Sequence, residues 1–327
     1  MSLRNLNVLI THVSYQASAG SFIKMLRKSQ RFSCHIIGCD SIPQGFSSGS
    51  MLVDKFYHVP SGINESDYAA YIYKICKDEY VNLIISAEEE DLLMFKKNRL
   101  EQALYPYIPE ECIFTLFRDK HLANLSVKKH SLITPKTIMN QKDFIKSKET
   151  TFIQRKRVSC CSRGIKIIDH SAITPDFQFF SDDYITQEFI SGVNYTIDVL
   201  CDKNGTIKIL VPRRSLAEKD GTTFKCIIEN EHSIVDACHK FYSQYNIPGI
   251  SNIQFIVKEG KPYFIELNPR AAATLIASAL VSVNFLDLYI SHFLFNEKLP
   301  LYEELMNTIR WNSIISRYYE ETIMYQG

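Results

Sequence analysis

The chain has 327 residues, 46% of them apolar and 22% charged, with 37 Lys plus Arg against 36 Asp plus Glu for a net charge of +1. The length sets an expectation of about two domains and a core that needs no disulfide or metal to fold. The composition excludes a disordered chain, and the balanced charge excludes a whole-molecule field that would gather nucleic acid or anionic membrane. Nine cysteines, an odd number, are scattered along the sequence, and the opening MSLRNLNVLITHV has too short an apolar run for a signal peptide. The expected setting is therefore a reducing cytoplasm with free thiols. The vicinal pair Cys160-Cys161 reads either as a redox switch or as two small side chains in a loop. No Cys/His grouping has zinc spacing.

The first third alternates between strand and helix patterns. Residues 7–11 (NVLIT), 35–39 (HIIGC) and 82–86 (NLIIS) are short apolar runs of strand type. Between them, 21–28 places Phe22, Met25 and Leu26 on one helical side, and 68–77 places Ala69, Ile72, Tyr73 and Cys76 on one face. This order predicts a parallel, doubly wound sheet. Asp40 ends the second strand where dinucleotide-binding folds place a ribose-binding acid. The first turn opposes that reading, because 12–20 (HVSYQASAG) holds a single glycine where a pyrophosphate needs several. The acids Glu88 to Asp91 follow a strand end and read either as a face for a cationic substrate or as a solvated helix start.

The character changes near residues 109–116. Asp119-Lys120 opens a basic helical stretch to Lys129. From Thr151 the pattern becomes strands separated by turns: 151–155, 165–168, 184–190, 195–201, 206–212, 224–229, 251–257 and 262–266, with helices over 233–245 and 272–295. Residues 271–286 carry no charge, but about 16 residues broken by Ser278, Ser282 and Asn284 suit a buried helix better than a membrane span. The expected fold class is α/β plus α+β.

The densest chemistry lies in SNIQFIVKEGKPYFIELNPR, residues 251–270. Two strands flank a turn. If 259–261 form a three-residue loop, Gln254 lies across from Glu266, and Asn268 shares the face of Glu266. One carboxylate and two carboxamides then converge, a donor set for Mg²⁺ that leaves room for water and phosphate oxygens. Arg270 adds a fixed positive charge, which suits a transferring phosphoryl group. A polar hairpin with a surface Glu-Arg pair is the plainer reading of the same residues.

Asn252-Ile253-Gln254-Phe255, then Glu266-Leu267-Asn268-Pro269-Arg270 and the small-residue helix after it, resemble the ATP-grasp domain of the carbamoyl phosphate synthetase large chain and its stand-alone relatives. The likeness runs in order from the front domain through Asp119-Lys120 and Ile133-Thr134-Pro135 to Arg270. It implies an N-terminal Rossmann-like pre-ATP-grasp domain over 1–115, an ATP-grasp N-terminal subdomain over 116–186 and a C-terminal subdomain over 187–327. It implies roles as well. Lys120 and Arg155 reach ATP phosphates, and Ser162 lies in the phosphate loop. Gln187, Glu188, Phe189 and Ile190 form the adenine hinge, and Asn194 faces the ribose. Gln254, Glu266 and Asn268 hold Mg²⁺, two ions in all, with Mn²⁺ able to substitute. Arg270 stands near the transferred phosphate, and Arg213 or Arg214 faces the γ-phosphate or a substrate carboxylate. Three departures stand out: the loop after Arg155 has one glycine, Gly164, Lys156 replaces the usual proline, and Asn194 replaces the usual acid.

The resemblance implies a carboxylate–amine ligase that uses ATP and Mg²⁺, passes through an acyl phosphate, and takes a small-molecule carboxylate and an amine or ammonia. No nucleic acid or membrane partner is expected, and a homodimer is the prior for assembly. Bicarbonate phosphorylation, a non-catalytic ATP-binding regulator and a nicotinamide oxidoreductase remain as alternatives.

Overall fold

Strand and helix alternate through the front of the chain because apolar strand runs there are punctuated by amphipathic helices. The computed structural model describes residues 3–14, 16–86, 88–98, 109–158, 164–172, 182–219, 221–318 and 320–324. β1 (Arg4–Thr11), α1 (Gln16–Arg27), β2 (Phe32–Asp40), α2 (Ser48–Met51), β3 (Lys55–His58), α3 (Glu65–Asp78), β4 (Leu83–Ile85) and α4 (Glu89–Lys97) follow in order. The four strands form a parallel sheet in the order β3-β2-β1-β4. Phe22, Met25 and Leu26 of α1 are buried as the spacing predicts. On α3, Ala69, Ile72 and Cys76 go inward, but Ile75 joins them and Tyr73 stays exposed. Asp40 is not open to a ribose. It is buried, and its carboxylate accepts from the backbone N–H of Ser14 and Ile42, both at 2.9 Å, which pins the first loop. Gly49 lets α2 seat on that loop: a Cβ there would lie 1.8 Å from the Val13 carbonyl oxygen.

Two helices lead out of the front sheet, α5 (Glu111–Arg118) and α6 (Lys120–Lys129). Asp119 caps α6 by accepting from the N–H groups of His121 and Leu122. Next come β5 (Thr137–Ile138), α7 (Gln141–Ile145), β6 (Thr151–Lys156), β7 (Lys166–Asp169) and β8 (Tyr184–Glu188). The strands make an antiparallel sheet in the order β5-β8-β6-β7, with a small core of Ile138, Phe144 and Phe152 on the α7 side. Arg155 and Gln187 lie on its other face.

A six-stranded antiparallel sheet follows, built from β9 (Val193–Cys201), β10 (Ile207–Lys219), β11 (Thr222–Ile228), β12 (Gly249–Lys258) and β13 (Lys261–Asn268), with α8 (His232–Tyr242) packed on one face. Beneath α8, Tyr195, Ile197, Ile253, Phe255, Phe264 and Leu267 form a core with Phe117 of α5 and Phe241 of α8. The β12–β13 connection is a two-residue turn, Glu259-Gly260, not a three-residue loop. Both residues have positive φ (51° and 71°), as a type I′ hairpin turn requires. Gln254 nevertheless pairs with Glu266, because the register shifts by one residue between Gln254 and Phe255. The bulge decides the chemistry. Strict alternation from Phe264 would drive Glu266 and Asn268 into the core. The extra residue, Ile265, lets Phe264 and Leu267 both point into the core while Glu266 and Asn268 face the other way.

The chain finishes with α9 (Leu275–Val281), α10 (Phe285–Phe293), α11 (Tyr302–Met306) and β14 (Ile314–Ser316), and β14 completes the sheet in the order β13-β12-β9-β10-β11-β14. The single helix expected over 272–295 is two helices bent by 97°. Ser282 leaves helical geometry, and Asn284 recaps the chain by accepting from the Leu286 N–H. Among the described residues, no single helix is long and apolar enough to cross a membrane. α9 and α10 lie between the parallel sheet with α1 and the apolar part of the six-stranded sheet (Leu200, Ile209, Val211, Ile228), in one continuous core. Ser21 accepts from the Ile276 N–H, and Asn284 donates to the Met25 carbonyl. The front and back of the molecule are thereby held in a set orientation.

Candidate active site

The face of the six-stranded sheet away from α8 changes from apolar to polar along its strands. Strand pairing fixes its members. Asn252 and Gln254 of β12 are opposite Asp198 and Thr196 of β9, and opposite Asn268 and Glu266 of β13. Thr196 is opposite Arg213 of β10. Residues directly across a ladder share a face, so Arg213 belongs to this surface and Arg214 to the other. Arg214 indeed pairs with Glu229 at 2.8 Å, beside Tyr195 on the α8 side. Arg213 is buried under α9, its Nε 3.0 Å from Asp198 Oδ2, which also accepts from Ser278 of α9 at 2.6 Å. Asn194 lies at the outer end of the same face and is exposed.

A cleft of about 240 Å³ opens over this surface, lined among others by Glu88, Glu89, Lys120, Glu266, Asn268 and Arg270. Lys120 sits in the first turn of α6, where the helix dipole disfavours a cation. It is buried, and its Nζ reaches to 4.0 Å from Glu266 Oε2. Its backbone is fixed by a 3.0 Å hydrogen bond to the Arg157 carbonyl, and Arg157 in turn pairs with Asp119 at 2.6 Å. Arg155 projects from β6 of the other antiparallel sheet toward β13. Its Nη2 donates to Gln187 Oε1 at 2.8 Å and to the Ile265 carbonyl at 3.4 Å, while its Nε has no protein partner. Burial lowers the Arg155 pKa, and Glu266 opposes that.

The hairpin supplies the oxygen donors. Asn268 Nδ2 donates to Glu266 Oε1 at 3.3 Å and to Asn252 Oδ1 at 3.1 Å. With its amide nitrogen engaged, the Asn268 atom left for an outside ligand is the carbonyl oxygen. Asn252, buried, also donates to the Arg270 carbonyl at 3.2 Å and so ties the end of the strand to the start of the next segment. A carboxylate and carboxamide oxygens in one patch suit a hard divalent cation.

Arg270 faces the front domain. Its Nε lies 3.6 Å from Glu89 Oε1. The acidic stretch Glu88 to Asp91 is thus divided by the fold. Asp91 is buried and accepts hydrogen bonds, Glu89 meets Arg270, Glu88 lines the cleft, and Glu90 pairs with Arg118 at the surface. A solvated helix start describes only Glu90. Burial pushes the pKa of Glu89 up despite Arg270, and that of Glu88 up despite Arg270 and His12.

The segment from Gln187 to Ile190, expected as a hinge, is anchored by side chains as well as backbone. Gln187 is fully buried, with its amide nitrogen directed at Asn124, Pro135 and Thr137. Glu188 accepts from the Lys136 N–H, and the Phe189 N–H donates to Thr151. Phe189 is partly exposed and Ile190 buried. Gly192, just beyond, passes so close to β12 that a Cβ would lie 2.5 Å from the Val257 carbonyl oxygen. Ser162 lies outside the described residues, as do Cys160, Cys161 and Arg163; the seven cysteines among the described residues are all free thiols. Sequence reasoning did not single out Glu89 as a partner of Arg270, nor Asn252 and Asp198 as members of the polar face. The signal for the last two was a polar residue recurring at even spacing in otherwise apolar strands.

One antiparallel sheet carries the acid–amide hairpin of the cleft and the other a buried arginine that reaches toward it, and the part of the chain that holds the hairpin matches an ATP-grasp family model. More particularly, residues 180–313 match the model for an ATP-grasp protein in the biosynthetic pathway with Ter operon, and residues 8–104 match the PylC-like N-terminal domain. Part of the chain is similar to the large chain of carbamoyl phosphate synthase. It is 39% identical over 61 residues to that of Sulfolobus acidocaldarius and 36% identical over 85 residues to that of Caldanaerobacter subterraneus. These matches cover 18% and 26% of this chain but only 6% and 7% of those relatives.

Solved structures that share the fold include the following three. The biotin carboxylase domain of Hydrogenobacter thermophilus 2-oxoglutarate carboxylase, in complex with MgADP and bicarbonate, has a TM-score of 0.66 at 15% identity, covering 94% of this chain and 73% of that one. The Staphylococcus aureus N5-carboxyaminoimidazole synthetase complexed with ADP gives 0.65 at 13%, covering 92% and 80%. The L-amino acid ligase of Bacillus licheniformis gives 0.65 at 16%, covering 94% and 78%.

Proposed function

We propose that this protein is an ATP- and Mg²⁺-dependent ligase that joins a small-molecule carboxylate to an amine and releases ADP and phosphate. One observation carries the reading: Lys120 and Arg270, from separate parts of the chain, line one cleft with Glu266 and Asn268, and Arg155 reaches the same strand at Ile265 from the other sheet. Cations drawn from three parts of the chain to one hairpin have no structural need for each other. They suit a polyphosphate. The named complexes of similar fold, with ADP and MgADP, support the same nucleotide here.

Glu266, Asn268 and Gln254 are the residues that would hold Mg²⁺. The fit rests on the donor set: Asn268 keeps its carbonyl oxygen for an outside ligand, and Gln254 has no side-chain hydrogen-bond partner among the described residues. Bound there, Mg²⁺ would neutralise phosphate charge. The chain's own residues do the rest. Arg155 and Lys120 hold anionic phosphate oxygens in a site where burial strengthens each contact. The hinge from Gln187 to Ile190 seats the base, and Asn194 offers a neutral hydrogen bond to the ribose. Arg270 holds the carboxylate and then the acyl phosphate made from it. The acids Glu88 and Glu89 beside Arg270 favour a cationic amine as second substrate. Arg213, locked to Asp198 under α9, supports the floor of the site, and Arg214 lies away from it.

The test is ADP release from the full chain with ATP, Mg²⁺ and panels of carboxylates and amines. Release that needs all four components is expected, with Glu266→Ala slowing it at least about 100-fold at unchanged melting temperature, since a metal ion's charge stabilisation is worth several kcal/mol. Near-wild-type turnover of folded Glu266→Ala would sink the assignment.

A further inference from the structure

The parallel sheet has its own chemistry at the place where such sheets put ligands. β1 is flanked by its successor β2 on one side and by β4 on the other, so the order reverses between β1 and β4. At the C-terminal ends of those two strands stands His12. Its ring Nε2 is 3.1 Å from Asp91 Oδ1. Asp91 is buried, and its other oxygen accepts from Thr11 Oγ1 at 2.5 Å, Ser86 Oγ at 3.1 Å and Tyr68 OH at 3.3 Å. Three hydroxyls already meet one oxygen of Asp91, and a carboxylate only accepts, so the nitrogen facing its other oxygen, Nε2, carries the proton. In the neutral ring, Nδ1 is then the basic atom.

Three further observations lift this pair above a strut between α4 and the sheet. His12 keeps 35% of its side chain exposed, whereas Asp91 keeps 5%. Its φ is 54°, a left-handed conformation that an ordinary residue pays strain to adopt. Its partner Asp91 also lies in the same first turn of α4 as Glu89, which lines the cleft and meets Arg270 at 3.6 Å. The groups facing the ring are Asp91 and Glu88 from α4 and its cap, Asp40 from the end of β2, and Tyr68 from α3. Burial opposes charge on the ring, but Asp91 together with Glu88 and Asp40 outweighs it and leaves the pKa above the ordinary histidine value.

We propose that His12, oriented by Asp91, is the base that takes a proton from the amine substrate. The proposal rests on the ligase reading above. An ammonium drawn to Glu88 gives one proton to His12 Nδ1. The freed lone pair forms the C–N bond to the acyl carbon held by Arg270. The acyl C–O bond breaks with its electron pair on the departing phosphate, which also carries off the second nitrogen proton. Asp91 is a positioning residue throughout: it fixes the tautomer and stabilises the imidazolium.

The experiment compares two nucleophiles on the full chain. Hydroxylamine is largely unprotonated at neutral pH and traps acyl phosphates without a base; an amino acid amine is protonated and needs one. Wild type is first screened with ATP, Mg²⁺ and hydroxylamine against the twenty proteinogenic amino acids and simple dicarboxylates for hydroxamate. With a carboxylate that scores, the same amino acids are offered as amines. In His12→Gln the ratio of amide to hydroxamate is expected to fall at least about 100-fold, the usual reach of general base catalysis. The rise of amide formation with pH, present in wild type because deprotonated His12 accumulates as pH increases, should vanish. His12→Gly, which suits the positive φ, should regain amide formation with added imidazole. An unchanged ratio, or a parallel loss with both nucleophiles and no imidazole rescue, overturns the role of His12. No hydroxamate from wild type with any carboxylate overturns the ligase reading itself and this inference with it.

Discussion

Two buried polar clusters sit a short way apart and are built on opposite rules. At Asp91, one carboxylate meets four donors and nothing is left over. Around the cleft and its floor, the balance runs the other way: Arg155 Nε, Arg270 Nε, both Nη atoms of Arg213 and Asp198 Oδ1 are buried without a hydrogen-bond partner. A satisfied network rigidifies a fold, and an unsatisfied one raises the free energy of the unliganded state. The front cluster is completed by folding, whereas folding leaves polar groups around the cleft without protein partners among the described residues.

The largest effect should come from removing the centre of the satisfied cluster. Asp91→Ala strands three hydroxyls and the His12 N–H, and should cost about 3–5 kcal/mol in a denaturant melt, as for other broken buried charge networks. A cost under about 1 kcal/mol would erase the contrast. Arg155→Met probes the other side. Replacing the buried charge with an apolar side chain of similar length removes a desolvated cation but leaves the buried Gln187 oxygen without its donor, so the unliganded protein should lose less than in Asp91→Ala, about 1–3 kcal/mol. The stabilisation by MgATP should nevertheless weaken by roughly 100-fold in dissociation constant, the worth of a charged hydrogen-bonding group. A thermal-shift titration reads both at once.

A smaller effect sharpens the picture at the edge of the site. Asp119→Ala removes the cap of α6 that presents Lys120, together with the pair to Arg157, for about 1–2 kcal/mol. Burial raises the Asp119 pKa, but the hydrogen bonds from Arg157, Leu122 and His121 lower it further, below the ordinary 3.8. Its contribution is therefore present above that value and lost as pH falls through the depressed one. The gap between wild type and variant should close only in strong acid, and a gap independent of pH would count against the ion pair. Smallest of all, Glu90→Ala removes only an exposed partner of Arg118 and should change stability by less than about 0.5 kcal/mol.

Much of this was legible along the chain. The parallel front sheet and the antiparallel sheets behind it follow from periodicity, because each depends on residues near one another in sequence. The pairing of Gln254 with Glu266 was expected from a three-residue loop and arrived by another route. A two-residue turn would have put Gln254 out of register, and a bulge at Ile265 restored it. Turn length and bulge trade against each other without leaving a mark in the hydrophobic pattern. The long helix after Arg270 was misjudged for a related reason. Apolar residues continue through Ser282-Val283-Asn284, but the backbone turns by 97° there to wrap two faces of one core.

The sequence by itself determined which residue types were on hand: a basic residue opening α6, an arginine on a strand, and an acid–amide–arginine block after a hairpin. Only the tertiary structure decided how they are used. It placed Arg213 under α9 with Asp198 and Arg214 on the opposite face, a choice set by strand register across three strands. It split four consecutive acids among a buried hub, a cleft wall and the surface. It also brought Glu89 of the first hundred residues to Arg270 of the last sixty. Such pairings are long-range contacts whose partners carry no local signature, because the apolar packing of α1 against α9 and α10 aligns the two halves, and the polar groups meet where that packing leaves them.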